Sequence, residues 1–151
     1  MSKIIFLDID GVLNYSGCKE NAPSSALGVS KEKIKLLKKI IDATGAKVVL
    51  SSTWRLDDGT KDYEYLIQRL REENVEIFGK TTDIYWSKRG LEIEGWIENE
   101  DNIDGFVVLD DIEFSDFYRN KIKDHIVIID YNVGLTEEDV ERAIEILNED
   151  T

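Results

Sequence analysis

Ile4-Ile5-Phe6-Leu7-Asp8-Ile9-Asp10-Gly11-Val12-Leu13-Asn14 sets four consecutive apolar, β-prone residues directly before two acids spaced one residue apart. An unbroken apolar run of this kind fits a strand buried on both faces, as in parallel sheets. Charge begins where the strand ends.

The same junction recurs along the chain. Lys47-Val48-Val49-Leu50 reads as a second buried strand ending at Ser51-Ser52-Thr53, and Phe106-Val107-Val108-Leu109 as a fourth running into Asp110-Asp111. Val75-Glu76-Ile77-Phe78 reads as the third and His125-Ile126-Val127-Ile128-Ile129 as the fifth.

Helical spacing fills the intervals. After an irregular stretch from Gly11 to Gly28, Ser30 caps a helix with Ile34, Leu37 and Ile41 on one face, closed by Gly45. A second helix runs from about Asp62 to Glu73 with Tyr65, Leu66 and Leu70 inward. A third begins near Arg89 and carries Ile93, Trp96 and Ile97. Thr136-Glu137-Glu138-Asp139 resembles a capping box that opens the last, whose Val140, Ala143, Ile144 and Leu147 share a face.

Strands alternating with helices imply right-handed crossovers and a doubly wound α/β fold. The expectation is a Rossmann-like three-layer sandwich with a five-stranded, mainly parallel sheet. At 151 residues, with 42% apolar composition and neither linker nor repeat, the chain is expected to form one domain over 1–151.

Ligands of such sheets sit outside the carboxyl ends of the strands. Three predicted strands end there in groups suited to metal and phosphate: Asp8/Asp10, Ser51/Ser52 and Asp110/Asp111. A single acid after a strand is usually a turn or cap residue, but two acidic pairs at equivalent strand ends are harder to dismiss. Two carboxylates about 4 Å apart repel by roughly 4 kcal/mol at an effective dielectric near 20, so gathering several needs protonation or a cation. Mg2+ is the simplest cation: a hard ion commonly held by one or two carboxylates and a substrate phosphate. A calcium loop is excluded, because the ligand series after Asp8-Ile9-Asp10-Gly11 does not continue and a strand, not a helix, precedes it.

Asp8-Ile9-Asp10-Gly11-Val12-Leu13-Asn14 after an apolar strand resembles the first motif of the haloacid dehalogenase (HAD) superfamily. Ser51 matches its second motif and Asp110-Asp111 its fourth, in the expected order. Val49-Leu50-Ser51-Ser52-Thr53-Trp54-Arg55, Arg89-Gly90-Leu91-Glu92-Ile93 and Gly134-Leu135-Thr136 are similar to a small branch attached to RNA-repair proteins.

The resemblance implies that Asp8 attacks phosphorus and becomes an aspartyl-phosphate, while Asp10 protonates the leaving group and then activates water. Ser51, with Ser52 beside it, would hold phosphate oxygens. Arg89 or Lys88 would be the third-motif cation, with Arg89 favoured by its place before Gly90. Mg2+ would be held by Asp110, by Asp111 directly or through water, by an Asp8 oxygen and by the Asp10 carbonyl. Trp54 and Arg55, just past the second motif, are candidates to stack on or grip substrate.

Neither interval that usually carries a cap domain is long enough for one; the first holds at most a flap over 15–29. Capless relatives tend to act on large substrates, so the resemblance implies a nucleotide, a polynucleotide end or a phosphoprotein over a small metabolite. A phosphomonoester phosphatase is the leading expectation, and a catalytically weak Mg2+-binding interaction module the alternative. A receiver-type signalling domain is disfavoured by the order of acidic groups, since its phosphorylated Asp lies on a middle strand.

The net charge of −13 argues against tight, sequence-blind nucleic-acid binding, and no stable sequence-specific complex is expected. Cys18, the only cysteine, has no partner for a disulfide, and no apolar run approaches a membrane span. A cytoplasmic setting and no membrane partner are expected. His125 lies away from the acidic strand ends and reads as structural.

Overall fold

The computed structural model describes residues 2–54, 59–82 and 88–149. In chain order these form β1 (Ser2–Leu7), α1 (Lys31–Thr44), β2 (Lys47–Leu50), α2 (Lys61–Glu72), β3 (Ile77–Lys80), α3 (Arg89–Glu98), β4 (Ile103–Asp110), β5 (Ile126–Ile128) and α4 (Glu137–Asn148). Short 3₁₀ turns at Ser115–Tyr118 and Lys123–His125 link β4 to β5.

Strand order is β3-β2-β1-β4-β5, and every described pairing is parallel. The expected sheet was only mainly parallel. From β1 the chain moves outward twice in one direction, so right-handed crossovers put α1 and α2 on the same face. It then returns past β1 to β4, which moves α3 to the other face. β1 and β4 are therefore neighbours whose connections leave in opposite directions, and the crevice opens at their carboxyl ends.

Alternation along β1 divides the core. Ile5 and Leu7 face Ile34, Leu37 and Ile40 of α1, Leu66 and Leu70 of α2, and Val140, Ala143 and Leu147 of α4. Ile4 and Phe6 face Ile93 of α3, with Phe117 and Ile122 from the β4–β5 connection. Phe6 meets Trp96 and Phe106 edge-on at centroid distances of 5.6 and 5.9 Å. Fully burying each such side chain stabilises the fold by about 1.5–3 kcal/mol, and the two layers together clamp the sheet.

Several boundaries differ from the sequence expectation. β3 begins at Ile77 rather than Val75, because Asn74 takes a left-handed φ of 62° and Val75 N bonds Leu70 O, so 74–76 complete the exit from α2. On α1 the third buried position is Ile40, with Ile41 only partly covered; on α4 Ile146 is buried and Ile144 partly so. β5 starts one residue after His125, which closes a 3₁₀ turn. The imidazole stacks on Phe106 at 3.9 Å and its Nδ1 lies 2.9 Å from Phe106 O.

The flap over 15–29 contains one isolated antiparallel bridge, Asn21 to Leu27, and is tied to α2 where Ser24 N donates to Asp62. It is no cap domain. Among the described residues no helix is long and apolar enough to cross a membrane.

The capping box of α4 is complete: Thr136 Oγ1 accepts from Asp139 N, and the Asp139 carboxylate accepts from Thr136 N and Oγ1. Thr136→Ala is expected to cost about 1 kcal/mol, lowering the thermal midpoint by about 2–4 °C, with Thr136→Ser retaining most of it. An unchanged midpoint in Thr136→Ala would show that the cap contributes nothing.

Candidate active site

Leu7 pairs with Leu109 on one side and with Leu50 on the other, so the residues that follow them leave the sheet at one level. Asp8 N continues the ladder to Leu109 O at 3.0 Å, and Ser51 N bonds Leu7 O at 2.9 Å. Asp8 is 5% exposed, and Ser51 and Asp110 are fully buried. Parallel register thus collects at one point side chains that lie 43 and 59 residues apart.

Three carboxylates converge there. Oxygens of Asp8, Asp110 and Asp111 all lie within 4.8 Å of one another. One cation reaches them from the first turn of α3: Arg89 Nη1 is 2.8 Å from Asp110 Oδ2 and 3.5 Å from Asp8 Oδ1. Asp110 Oδ1 accepts from Ile112 N at 3.0 Å, which holds its carboxylate against the strand end.

Burial, followed by the charges of Asp110 and Asp111, pushes the Asp8 carboxyl well above its usual range, and Arg89 offsets this only in part. Burial also raises Asp110, against the pull of Arg89. Arg89 stays firmly protonated because Asp110 and Asp8 outweigh its own burial. Were all three carboxylates ionised, Arg89 would leave two negative charges unbalanced at this largely buried site. That deficit and the all-oxygen donor set suit a hard divalent cation.

The turn after β1 is built to close over Asp111. Gly11 has φ +81°, and a Cβ there would stand 2.4 Å from Asp111 Oδ2. Asn14 is the organiser of this loop: its Oδ1 accepts from Gly11 N at 2.8 Å, and its Nδ2 donates to Gly28 O and to Asp10 Oδ1 at 2.8 and 3.0 Å. The Gly134-Leu135 segment packs against the same turn, where Leu135 N bonds Val12 O and a Cβ on Gly134 would fall 2.9 Å from Asn14 O.

Asp10 projects outward from this turn and is exposed, apart from the three acids. Its second oxygen accepts from Trp54 Nε1 at 3.2 Å. Trp54 is not the stacking platform anticipated: the ring is 6% exposed and belongs to the core, so it acts on Asp10 rather than on a base. Ser52 Oγ accepts from Trp54 N at 3.2 Å, inside its own turn. Lys88 is exposed at the N-cap of α3, whereas Arg89 points to the acids. Arg55 lies outside the described residues.

Residues 4–140 match the family described as the HAD domain in Swiss Army Knife RNA repair proteins. The chain belongs to that family. Comparison with curated proteins gives no match. The matched span of this HAD domain runs from within β1 through β5 and takes in the three clustered acids and Arg89. Membership brings with it a superfamily of phosphatase-type hydrolases that generally use Mg2+.

Asn14 and Phe114, whose ring lies 4.8 Å from the Arg89 guanidinium carbon, had no role assigned from sequence. Asn14 carried a signal, its place four residues after Asp10. Phe114 carried none, because its contact with Arg89 exists only after α3 and the β4–β5 connection have packed.

The raised Asp8 carboxyl has a consequence for the metal-free protein. Between the ordinary value of 3.8 and the higher native one, the folded state holds more protons than the unfolded state, so stability falls as pH rises through that window. In EDTA at pH 8, Asp8→Asn is expected to be more stable than the wild type, by about 1.4 kcal/mol for each pK unit of elevation. The advantage should shrink as pH is lowered toward 4. Thermal unfolding of both proteins across pH checks this; a gap that does not vary with pH would contradict it.

Proposed function

We propose that this HAD domain is a Mg2+-dependent phosphomonoester phosphatase working through an aspartyl-phosphate on Asp8. The observation that carries the proposal is Asp8 itself: a buried carboxylate at a strand end, facing a guanidinium and two further acids. Asp8, Asp110 and Asp111 would hold the ion. Mg2+, when bound, supplies positive charge to the transferring phosphoryl group and keeps Asp8 ionised at neutral pH.

Asp8 supplies an electron pair to phosphorus as the ester P–O bond breaks. Asp10, on the open side of the turn, gives its proton to the leaving oxygen. The same carboxylate then takes a proton from water, which attacks the acyl phosphate at phosphorus, releasing inorganic phosphate and restoring Asp8. Ester and water are consumed; alcohol and phosphate are formed.

Arg89 opposes the negative charge that builds on the equatorial phosphate oxygens, and Ser51 lies at the same strand-end level to receive one of them. Trp54 and Asn14 each donate to one oxygen of Asp10, which restrains its carboxylate at the open side of the turn. With no cap domain among the described residues, we infer a bulky substrate: a nucleotide, a polynucleotide end or a phosphoprotein. A single domain and a cytoplasmic setting complete the proposal, the latter consistent with Cys18 being the one cysteine in the sequence.

Release of phosphate from an aryl phosphate with Mg2+ is expected to vanish with EDTA and to fall about 10³-fold or more in Asp8→Asn. Retained metal-dependent turnover in that variant would overturn the nucleophile assignment. Removing the hydrogen bond from the indole to Asp10 without emptying the core, as in Trp54→Phe, should lower kcat by about tenfold while leaving KM nearly unchanged, since a bond to a charged acceptor is worth about 1.5–3 kcal/mol. A loss confined to KM would place Trp54 on the substrate instead.

A further inference from the structure

α3 begins without a cap of its own. Lys88 occupies the N-cap position, yet its side chain makes no capping bond. The missing acceptor comes from a distant segment: Asp116 Oδ2 accepts from Leu91 N, the third residue of the helix, at 2.9 Å. A carboxylate there satisfies an orphan N–H and meets the positive end of the helix dipole.

Contacts between the two segments continue on either side. A Cβ on Gly90 would lie 2.6 Å from Asp116 O, so the backbones touch where α3 starts. Phe117 is buried in the core layer that contains Ile93, and Arg119 donates to the buried Glu94 of α3. Phe114 faces the Arg89 guanidinium at 4.8 Å. Residues 114–119 thus run along the first turns of α3 as a strap, bonded to the residues immediately around Arg89.

We propose that this strap sets the position of Arg89 in the active site, with Asp116 and Phe114 as its positioning residues. The inference rests on the phosphatase function proposed above. A guanidinium suits the arrangement: its central carbon lies 4.8 Å from the centre of the Phe114 ring while Nη1 bonds Asp110. Its other N–H groups can meet a phosphate in a fixed plane.

The test uses wild type, Phe114→Leu, Asp116→Ala and Asp116→Asn, each confirmed as folded by thermal unfolding. The first readout is nitrogen-edited NMR of the arginine side chains, with the Arg89 signals assigned by their loss in Arg89→Lys. Wild type should show separate Arg89 Nη resonances, reflecting hindered rotation. They should collapse in Phe114→Leu and Asp116→Ala and return in Asp116→Asn, which keeps the acceptor. The second readout is turnover of an aryl phosphate, where kcat should fall about tenfold or more in the first two variants and recover in the third. Separate Arg89 resonances and full kcat in both Phe114→Leu and Asp116→Ala would overturn the proposal, as would failure of Asp116→Asn to restore either. A wild type without turnover would defeat the phosphatase assignment, and the resonances alone would then judge the strap.

Discussion

Arg89 Nη1 sits between Asp110 Oδ2 at 2.8 Å and Asp8 Oδ1 at 3.5 Å where water hardly reaches, and much of the surrounding structure keeps these charges together. Taking such groups out of water is costly, and breaking a buried pair by deleting one partner commonly costs about 3–5 kcal/mol. Against a typical total stability of about 5–15 kcal/mol, that is a large share. Yet one guanidinium does not balance three acids. The clustered acids at this corner therefore suit a divalent cation, which would offset the charge that Arg89 leaves unbalanced.

Topology explains why that corner lies where it does. β1 and β4 adjoin in register, but their connections leave toward opposite faces, so the crevice forms at their carboxyl ends. Rigid strands deliver Asp8 and Asp110, and a helix start delivers Arg89. Asp10 comes from the turn after β1, which Asn14, Gly11 and Gly134 hold close. Asp8, the proposed nucleophile, is thus fixed by the sheet, while Asp10, the proposed proton-transfer group, stands exposed at the rim.

Much of this was legible in the sequence, because its signals are local. Apolar runs ending in acid located the sheet and the strand ends, and the Thr136 box and Gly45 marked helix limits correctly. Choosing Arg89 over Lys88 needed family likeness; periodicity alone left both open. What escaped was produced by packing at long range. Trp54 turned inward because its indole fills the core and still reaches Asp10, and the strap over α3 joins residues about 25 apart with no spacing rule. β3 slipped by two residues because the exit from α2 used Asn74 and Val75 first.

The central claim is that Asp8 carries phosphate during turnover. Mixing enzyme, Mg2+ and an aryl phosphate, quenching in acid, and reducing with labelled borohydride converts an aspartyl-phosphate to a labelled homoserine. Label recovered at position 8, and absent when substrate is omitted, is the predicted result. Phosphate release with label at another position, or with none at all, would contradict it.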